Sequence, residues 1–351
     1  MAGTAGREVF VTLASAYRPR PVRWLWPDRV PAGSLTLLAG REGIGKSLIT
    51  VNLAAHLTRG TLPGSRHGTP SKVLFATAED AWEFTMTPRL IAAAADLNAI
   101  GRVQATEDGI VTGLTLPLDV QGLKAYITRH DVALLVLDPL TSVIDGRLDH
   151  HRDREVRLAL EPLAKLAEDT GCAVIGLVHL GKAQGTDPVN LILGSRAFSA
   201  VARLALVAAR DPDAEDGSCV LSVEKSNLGR LDVPALTYRV DGVQVDTDEG
   251  PAGTGHLTWT GTSDRNVRDI LAGPVDEERG ETDAAVKWLR GYLADNGGQA
   301  AAKDVVAAAR KYDFAERTIR RARSRAGIVS DRQGFGGGAV WVLPEDIRSD
   351  T

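Results

Sequence analysis

A glycine-rich turn near the N-terminus constrains the fold of this chain more than any other feature. It begins at Gly40, reads GREGIGKS, and ends in Lys46 and Ser47. The apolar run SLTLLAG leads into it, and a helical pattern follows it. Glycines permit positive φ angles that turn backbone amides towards an anion, and the start of a helix adds its positive end. The pattern GxxxxGK[ST] between a strand and a helix therefore predicts a loop that binds nucleotide phosphates.

Two side chains of this loop have specific expected roles. We expect Lys46 to reach the β and γ phosphates of ATP and Ser47 to place its hydroxyl on Mg²⁺. ATP and Mg²⁺ are therefore the predicted ligands. The residues expected to surround them in the loop are Gly40, Glu42, Gly43, Ile44, Gly45, Lys46, Ser47 and Leu48.

Apolar strand-like runs alternate with helical patterns from residue 34 to about residue 240. The predicted strands are 34–40, 72–77, 132–138, 172–179, 204–210 and 219–226, and the predicted helices are 47–58, 84–95, 121–129 and 153–169. Runs that are apolar almost throughout are typical of strands buried on both faces of a parallel sheet. The alternation predicts an α/β fold with a mostly parallel sheet.

Carboxylates stand at the ends of two of these strands. Asp138 ends VALLVLD and is the predicted second Mg²⁺ ligand. Glu79 follows KVLFAT, where a carboxylate faces the ligand crevice of an open α/β sheet, and it is the candidate for polarising the attacking water. Asp80 competes for that role or caps the next helix. His179 ends a further apolar strand and is a candidate sensor of the γ-phosphate.

The chain of 351 residues is long enough for about two domains. We expect an N-terminal arm over 1–30, whose Trp24 and Trp26 pack on the sheet, and an ATPase domain over 31–245. Residues 246–281 are rich in Gly, Asp, Thr and Pro, which predicts a linker. Over 282–345, three short helical patterns precede two strands around a glycine-rich turn, which predicts a winged helix.

This last unit carries a local positive charge. Nine Lys or Arg and four Asp or Glu between Lys303 and Arg332 give it +5, whereas the whole chain has −4. The third helical pattern, over residues 315–326, places apolar residues on one side and arginines on the other. Such a helix can lie in a major groove and bind phosphates or guanine edges, with the turn 334–338 and Phe335 as the wing. The predicted DNA-binding residues are Arg317, Arg320, Arg321, Arg323 and Arg325.

The order of these motifs resembles the RecA-type ATPases, in particular the RepA-like replicative helicase ATPases of plasmids and phages. The resemblance spans about residues 24–240 and rests on GSLTLLAGREGIGKS, VLFATAED, LLVLDPL, HLGK, GSRAFSAVAR and KSNLGR. The tail also resembles the winged-helix ends of some members.

The resemblance implies a RecA-like fold and a ring, commonly a hexamer, with ATP between subunits. It also implies that a basic residue from the neighbour completes each site, for which Lys225 and Arg230 are both candidates, and that Arg89 lies against the adenine. The loops 143–153 and 181–196 would face a central channel, where Lys182 and Arg196 would contact single-stranded DNA. The acidic residues of these loops argue against processive unwinding.

Three functions remain open from the sequence: a ring-shaped helicase or translocase, an ATP-switched replication initiator or helicase-loading protein, and a DNA-binding module with little turnover. The complete set of Lys46, Ser47, Glu79 and Asp138 argues against the third. The chain has two cysteines, no CxxC pair and no apolar run of membrane-spanning length. Its N-terminus also lacks a signal-peptide pattern, so we expect a cytoplasmic protein without a membrane partner.

Overall fold

The computed structural model describes residues 9–181, 185–214, 216–272, 276–332 and 339–344. The predicted wing, 334–338 with Phe335, and the predicted contact of Lys182 lie outside these residues. The strands are β1 (Trp24–Trp26), β2 (Val30–Pro31), β3 (Leu35–Gly40), β4 (Lys72–Thr77), β5 (Ile100–Arg102), β6 (Ala105–Glu107), β7 (Ile110–Thr112), β8 (Val132–Asp138), β9 (Ala173–His179), β10 (Leu204–Arg210), β11 (Cys219–Ser226), β12 (Ala235–Val245), β13 (Ala252–Ser263), β14 (Gln299–Ala301), β15 (Val329–Arg332) and β16 (Ala339–Val342).

The first five α-helices alternate along the chain with the strands β3, β4, β5, β8, β9 and β10. The α-helices are α1 (Lys46–Thr58), α2 (Thr87–Ala92), α3 (Val120–His130), α4 (Asp153–Thr170), α5 (Ala197–Val201), α6 (Val267–Ala272), α7 (Asp276–Asp295), α8 (Ala302–Ala309) and α9 (Glu316–Arg325). A π-helical turn, Trp82–Met86, leads into α2, so the predicted helix 84–95 divides into two parts. Among the described residues, no helix combines the length and the apolar character that crossing a membrane requires.

A nine-stranded sheet organises the larger unit, in the order β13-β12-β11-β10-β3-β9-β8-β4-β5. The six strands from β10 to β5 are parallel, and β11, β12 and β13 extend the sheet in antiparallel fashion. This confirms the predicted α/β fold with a large, mostly parallel sheet. All parallel strands direct their carboxyl ends to one edge, which is where such sheets bind ligands.

Both faces of this sheet are covered, because alternate side chains of the central strands enter different cores. In β3, Leu37 and Ala39 belong to the core with α3 and α4, whereas Leu38 belongs to the core with α1 and α2. In β8, Leu135 belongs to the core with α3 and α4, and Leu134 belongs to the core with α1 and α2. Burial on both faces is the reason that these strands read as continuous apolar runs.

The predicted linker over 246–281 is wrong, because this segment contains β13 and α6. β12 and β13 pair in antiparallel fashion from Ala235 with Ser263 to Val245 with Ala252. Leu257 and Trp259 of β13 pack into the core beside α1. The glycines and threonines that resemble a linker lie on the half-exposed strands of a long hairpin, where only a few positions are fully buried.

The tryptophans of the N-terminal segment pack as predicted. Trp24 and Trp26 form the short hairpin of β1 with β2 and pack against the core of the sheet. The centre of the Trp26 ring lies 5.6 Å from that of Trp259. The segment 1–30 is therefore not an arm throughout its length, since its last part is attached to the sheet.

The C-terminal unit has a separate core. Its sheet has the order β14-β16-β15, and both pairings are antiparallel. Its core includes Leu293 of α7, Val305 of α8, Ile319 of α9 and Trp341 of β16. Its described residues thus form three helices and a three-stranded sheet around one small core.

Candidate active site

The phosphate loop joins β3 to α1 at the carboxyl edge of the parallel strands. Gly43 and Gly45 have φ angles of 71° and 89°, a region that side chains rarely adopt. A Cβ on Gly45 would also lie 3.0 Å from Cγ2 of Val240. Because Gly45 precedes α1 directly, its left-handed conformation turns the chain into the helix and leaves the first amides of α1 directed at the loop.

Lys46 begins α1 and is 8% exposed. Its Nζ donates hydrogen bonds to the carbonyl oxygens of Gly40 and Arg41, both at 2.9 Å, and lies 3.4 Å from Nδ1 of His179. Burial lowers the pKa of Lys46, while the charges of Asp138, Glu42 and Glu79 act in the opposite direction. Carbonyl oxygens therefore hold the ammonium group at the mouth of the loop. From this position it can exchange them for phosphate oxygens as hydrogen-bond acceptors.

Asp138, at the end of β8, contacts Ser47 in the first turn of α1. The hydroxyl of Ser47 donates a hydrogen bond to Oδ2 of Asp138 at 2.6 Å. Burial raises the pKa of Asp138; the bond from Ser47 and the charge of Lys46 oppose this, whereas Asp80 and Glu79 add to it. A hydroxyl and a carboxylate are the hard oxygen ligands that Mg²⁺ prefers, so the pair fits this ion. When bound, Mg²⁺ neutralises charge on the phosphates.

A cavity of about 330 Å³ brings most of the predicted residues together. Gly40 is not part of the wall, but its carbonyl oxygen accepts the bond from Lys46. Glu79 is exposed, whereas Asp80 is held by Arg89 at 2.8 Å. The wall is formed by Glu42, Gly43, Ile44, Gly45, Lys46, Ser47, Leu48, Glu79, Asp80, Arg89, Asp138, His179 and Val240.

Two residues that the sequence analysis did not select support the loop from β12. The hydroxyl of Tyr238 donates a hydrogen bond to the carbonyl oxygen of Ile44 at 2.7 Å, and the Tyr238 side chain is fully buried. Burial raises the pKa of Tyr238, so it remains a donor at all ordinary pH values. Val240 forms part of the cavity wall. Only a prediction of the hairpin β12–β13 over the loop would have identified these residues.

A family model for the AAA domain matches residues 6–185, slightly more than half of the chain. The chain belongs to this family. The matched residues contain the phosphate loop, Glu79, Asp138 and His179, which form most of the cavity wall. The protein is therefore a P-loop ATPase, and membership implies nucleotide binding, for which Mg²⁺ is the usual partner. No curated protein matches the chain.

Lys225 and Arg230 lie outside this cavity and beyond the AAA domain match, Lys225 on β11 and Arg230 in the loop that follows it. Ser226, next to Lys225, pairs with Leu204 at the end of β10 that is farther from the phosphate loop. Lys225 donates to the carbonyl oxygens of Ser199 and Ala202. Burial, and secondarily the charge of Arg203, lowers the pKa of Lys225.

Arg230 differs from Lys225 in exposure. Its side chain is 60% exposed and pairs with Asp232 at 2.7 Å. An exposed pair of this kind contributes little to stability, so Arg230 can exchange its partner at low cost. Neither Lys225 nor Arg230 is among the residues that line the cavity of its own chain.

The five arginines of α9 have different surroundings. Arg317 and Arg325 are exposed, and Arg325 pairs with Asp283 at 2.8 Å. Arg320 pairs with Glu316, also at 2.8 Å. The guanidinium of Arg323 lies over the ring of Trp341, and Arg321 contacts the larger unit.

The loop 143–153 contains acids that are paired locally. Asp145 binds Arg147, and Arg152 lies near Asp149 and Glu155. In the second loop, Asp187 pairs with Arg268 of α6 at 3.4 Å. These acids therefore have structural partners, which reduces the negative charge that the loops present.

Proposed function

We propose that this protein hydrolyses ATP as a ring-shaped oligomer and binds DNA, in the manner of the RepA-like replicative helicase ATPases. The observation that carries the ATPase part is the contact of Ser47 with Asp138, in one cavity with Lys46 and Glu79. Lys46 holds the phosphates, the hydroxyl–carboxylate pair holds Mg²⁺, and Glu79 orients the attacking water. A chain that only bound nucleotide would not need Glu79 beside the phosphates.

We propose further that the site is shared between subunits and that Arg230 acts on the neighbour's nucleotide. Arg230 is exposed in the loop after β11. This loop follows the end of β11 that pairs with the start of β10, the end farther from the phosphate loop of the same chain, so Arg230 is accessible to another subunit. The guanidinium group can stabilise charge that develops on the transferred phosphate. Lys225 is the weaker candidate, because its ammonium already binds two carbonyl oxygens of its own chain.

The C-terminal unit supports the proposed binding of duplex DNA. Its elements follow the order α7, β14, α8, α9, β15 and β16, which is the order expected of a winged helix. In this assignment α9 is the recognition helix. Arg317 is exposed on α9, so a phosphate can reach it.

A second candidate function is an ATP-switched replication initiator or helicase-loading protein that does not unwind DNA. It is favoured by the contact of α9 with the larger unit, since Arg321 pairs with Asp213 at 2.9 Å. Asp213 follows β10, and β10 pairs with β3 as far as Gly40 of the phosphate loop. Nucleotide binding therefore occurs close to the segment that holds the proposed DNA-binding helix.

ATP hydrolysis in the presence of single-stranded or duplex DNA, together with strand displacement, tests these functions. A helicase is stimulated by single-stranded DNA and displaces a strand, whereas a switch is stimulated by duplex and does not. Lys46→Ala should abolish hydrolysis, and Lys72→Ala, which removes an exposed lysine of β4, should leave it unchanged. Equal turnover in both variants would refute the nucleotide site.

Duplex affinity as a function of salt tests the proposed role of α9. Arg317→Ala should weaken binding and reduce the salt dependence by about one phosphate contact. Arg129→Ala removes an exposed arginine at the end of α3 and is the matched control. Unchanged affinity in Arg317→Ala would count against the assignment of α9 as the recognition helix.

A further inference from the structure

The larger unit contacts α9 through an ion pair that is mostly withdrawn from solvent. Nε of Arg321 donates to Oδ2 of Asp213 at 2.9 Å, and the two side chains are only 13% and 16% exposed. Asp213 belongs to the turn between β10 and β11, and Arg321 is 108 residues away in sequence. This contact therefore joins the two units through the helix with the highest concentration of arginines.

Asp213 also binds a second arginine, which comes from the end of the β12–β13 hairpin. Arg265 donates to Asp213 at 2.5 Å and to Asp211 at 3.4 Å. Two arginines converge on one carboxylate, as they do around a phosphate group. The cavity beside them has about 360 Å³ and is lined by Pro212, Asp213, Arg265, Ile270, Thr282, Arg321, Ser324 and Arg325.

The contact occupies the outward face of α9. Ile319 and Ala322 are fully buried in the core of the C-terminal unit and define the inward face. Arg317, Arg321 and Ser324 are spaced at i, i+4 and i+7, so they share one stripe of the helix, which lies opposite to that core. A recognition helix must present this outward stripe to a major groove. Two residues of the stripe, Arg321 and Ser324, instead line the cavity against the larger unit.

We propose that Asp213 occupies the place of a DNA phosphate on Arg321, so that the turn between β10 and β11 and a DNA duplex compete for the same face of α9. The proposal rests on the proposed binding of duplex DNA by this helix. A carboxylate and a phosphate accept the same fork of guanidinium hydrogen bonds, so they are alternative ligands for Arg321. The protein with α9 docked binds duplex weakly, and release of the C-terminal unit from the turn exposes the whole stripe.

The competition lowers the observed affinity for DNA. When only a fraction of the molecules has α9 released, the apparent dissociation constant rises in inverse proportion to that fraction. Removing the carboxylate of Asp213 takes away the acceptor that holds Arg321 to the turn and leaves Arg265 with Asp211 alone, so two positive charges are less well neutralised, which favours release. Couplings between sites commonly change affinity by about 5-fold to 150-fold, and we expect an increase of about tenfold in duplex affinity.

The test compares full-length wild type with Asp213→Ala and the nearly isosteric Asp213→Asn. Asp248→Ala is the matched control, because it removes one negative charge at an exposed position on the connection between β12 and β13. Anisotropy of a short fluorescent duplex at low salt measures affinity, and hydrogen exchange of the α9 amides without DNA measures release. Thermal unfolding verifies that each variant is folded.

We expect tighter duplex binding and faster exchange on the outward side of α9 in both Asp213 variants, and wild-type behaviour in Asp248→Ala. Equal affinity of the wild type and both Asp213 variants would overturn the competition while leaving DNA binding intact. Equal gains in duplex affinity in Asp213→Ala and Asp248→Ala would show that the effect comes from net charge, and would also overturn the competition. Failure of every variant to bind duplex, despite faster exchange in the Asp213 variants, would instead refute DNA binding by α9.

Discussion

The hydrogen bond from Tyr238 to the phosphate loop allows a direct test of how β12 supports the active site. Tyr238→Phe removes one hydroxyl group and leaves the ring in place. The carbonyl oxygen of Ile44 then loses a donor at 2.7 Å from a fully buried side chain. The substitution therefore changes a single polar contact without creating a large cavity.

The expected cost follows from that contact. Leaving a buried acceptor without its donor costs about 1–3 kcal/mol, so we expect a loss of about 2 kcal/mol in the free energy of unfolding. For a domain of this size, that loss corresponds to a decrease in Tm of roughly 4–8 °C. Because Ile44 is next to Gly45, whose conformation turns the chain into α1, we also expect a higher KM for ATP. Tyr238 does not line the cavity, so kcat should change little.

Thermal unfolding and steady-state ATP hydrolysis measure these two effects. Tyr126→Phe is the matched control, since Tyr126 is 49% exposed on α3 and away from the phosphate loop. A variant Tyr238→Phe with the Tm and KM of the wild type would refute the role of β12 as a support for the loop. A decrease in kcat without a change in KM would assign the hydroxyl to the chemical step instead.

Three further predictions concern the site and the core. Glu79→Gln should lower kcat by about 10²-fold to 10⁴-fold with little change in the affinity for ATP, and Asp80→Asn should lower kcat less. A larger loss of kcat in Asp80→Asn would assign the role of base to Asp80 instead. Arg230→Ala alone should lose hydrolysis, and mixing it with inactive Lys46→Ala subunits should restore part of it, because an intact phosphate loop can then receive Arg230 from its neighbour; a mixture that stays inactive would contradict a contribution in trans. Burial raises the pKa of Cys172 to about 12 from an ordinary 9.0, so this thiol should react with disulfide reagents at mild alkaline pH only when the chain unfolds. Equal labelling rates of native and unfolded protein would contradict this protection. The same shift predicts that the free energy of unfolding falls as the pH rises above 9.0, because the unfolded chain loses the thiol proton first; a stability that does not change above pH 9.0 would contradict this second effect.

The strands that position the cavity are predictable from the sequence. β4, β8, β10 and β11 begin and end at the predicted residues. Their apolar runs are continuous because both faces are buried, and each run ends where polar residues reach the ligand edge. Ser47 and Asp138 could be paired in advance because the motif and the position of Asp138 at the end of a parallel strand both place them at that edge.

The hairpin β12–β13 and the contact of Arg321 could not be predicted in the same way. Tyr238 and Val240 lie on a half-exposed strand whose burial depends on packing against α1, and its glycines resemble a linker. The pairing of Arg321 with Asp213 depends on how two units meet, which no local pattern records. The sequence shows that α9 is rich in arginine, but it does not show which of these arginines the rest of the chain already binds.

The most direct test of the proposed function is the steady-state rate of ATP hydrolysis by the full-length protein, measured without DNA, with single-stranded DNA and with duplex. We expect Mg²⁺-dependent hydrolysis that DNA stimulates and that Lys46→Ala abolishes. A rate that neither form of DNA changes, in a protein that hydrolyses ATP normally, would contradict the coupling of this site to DNA.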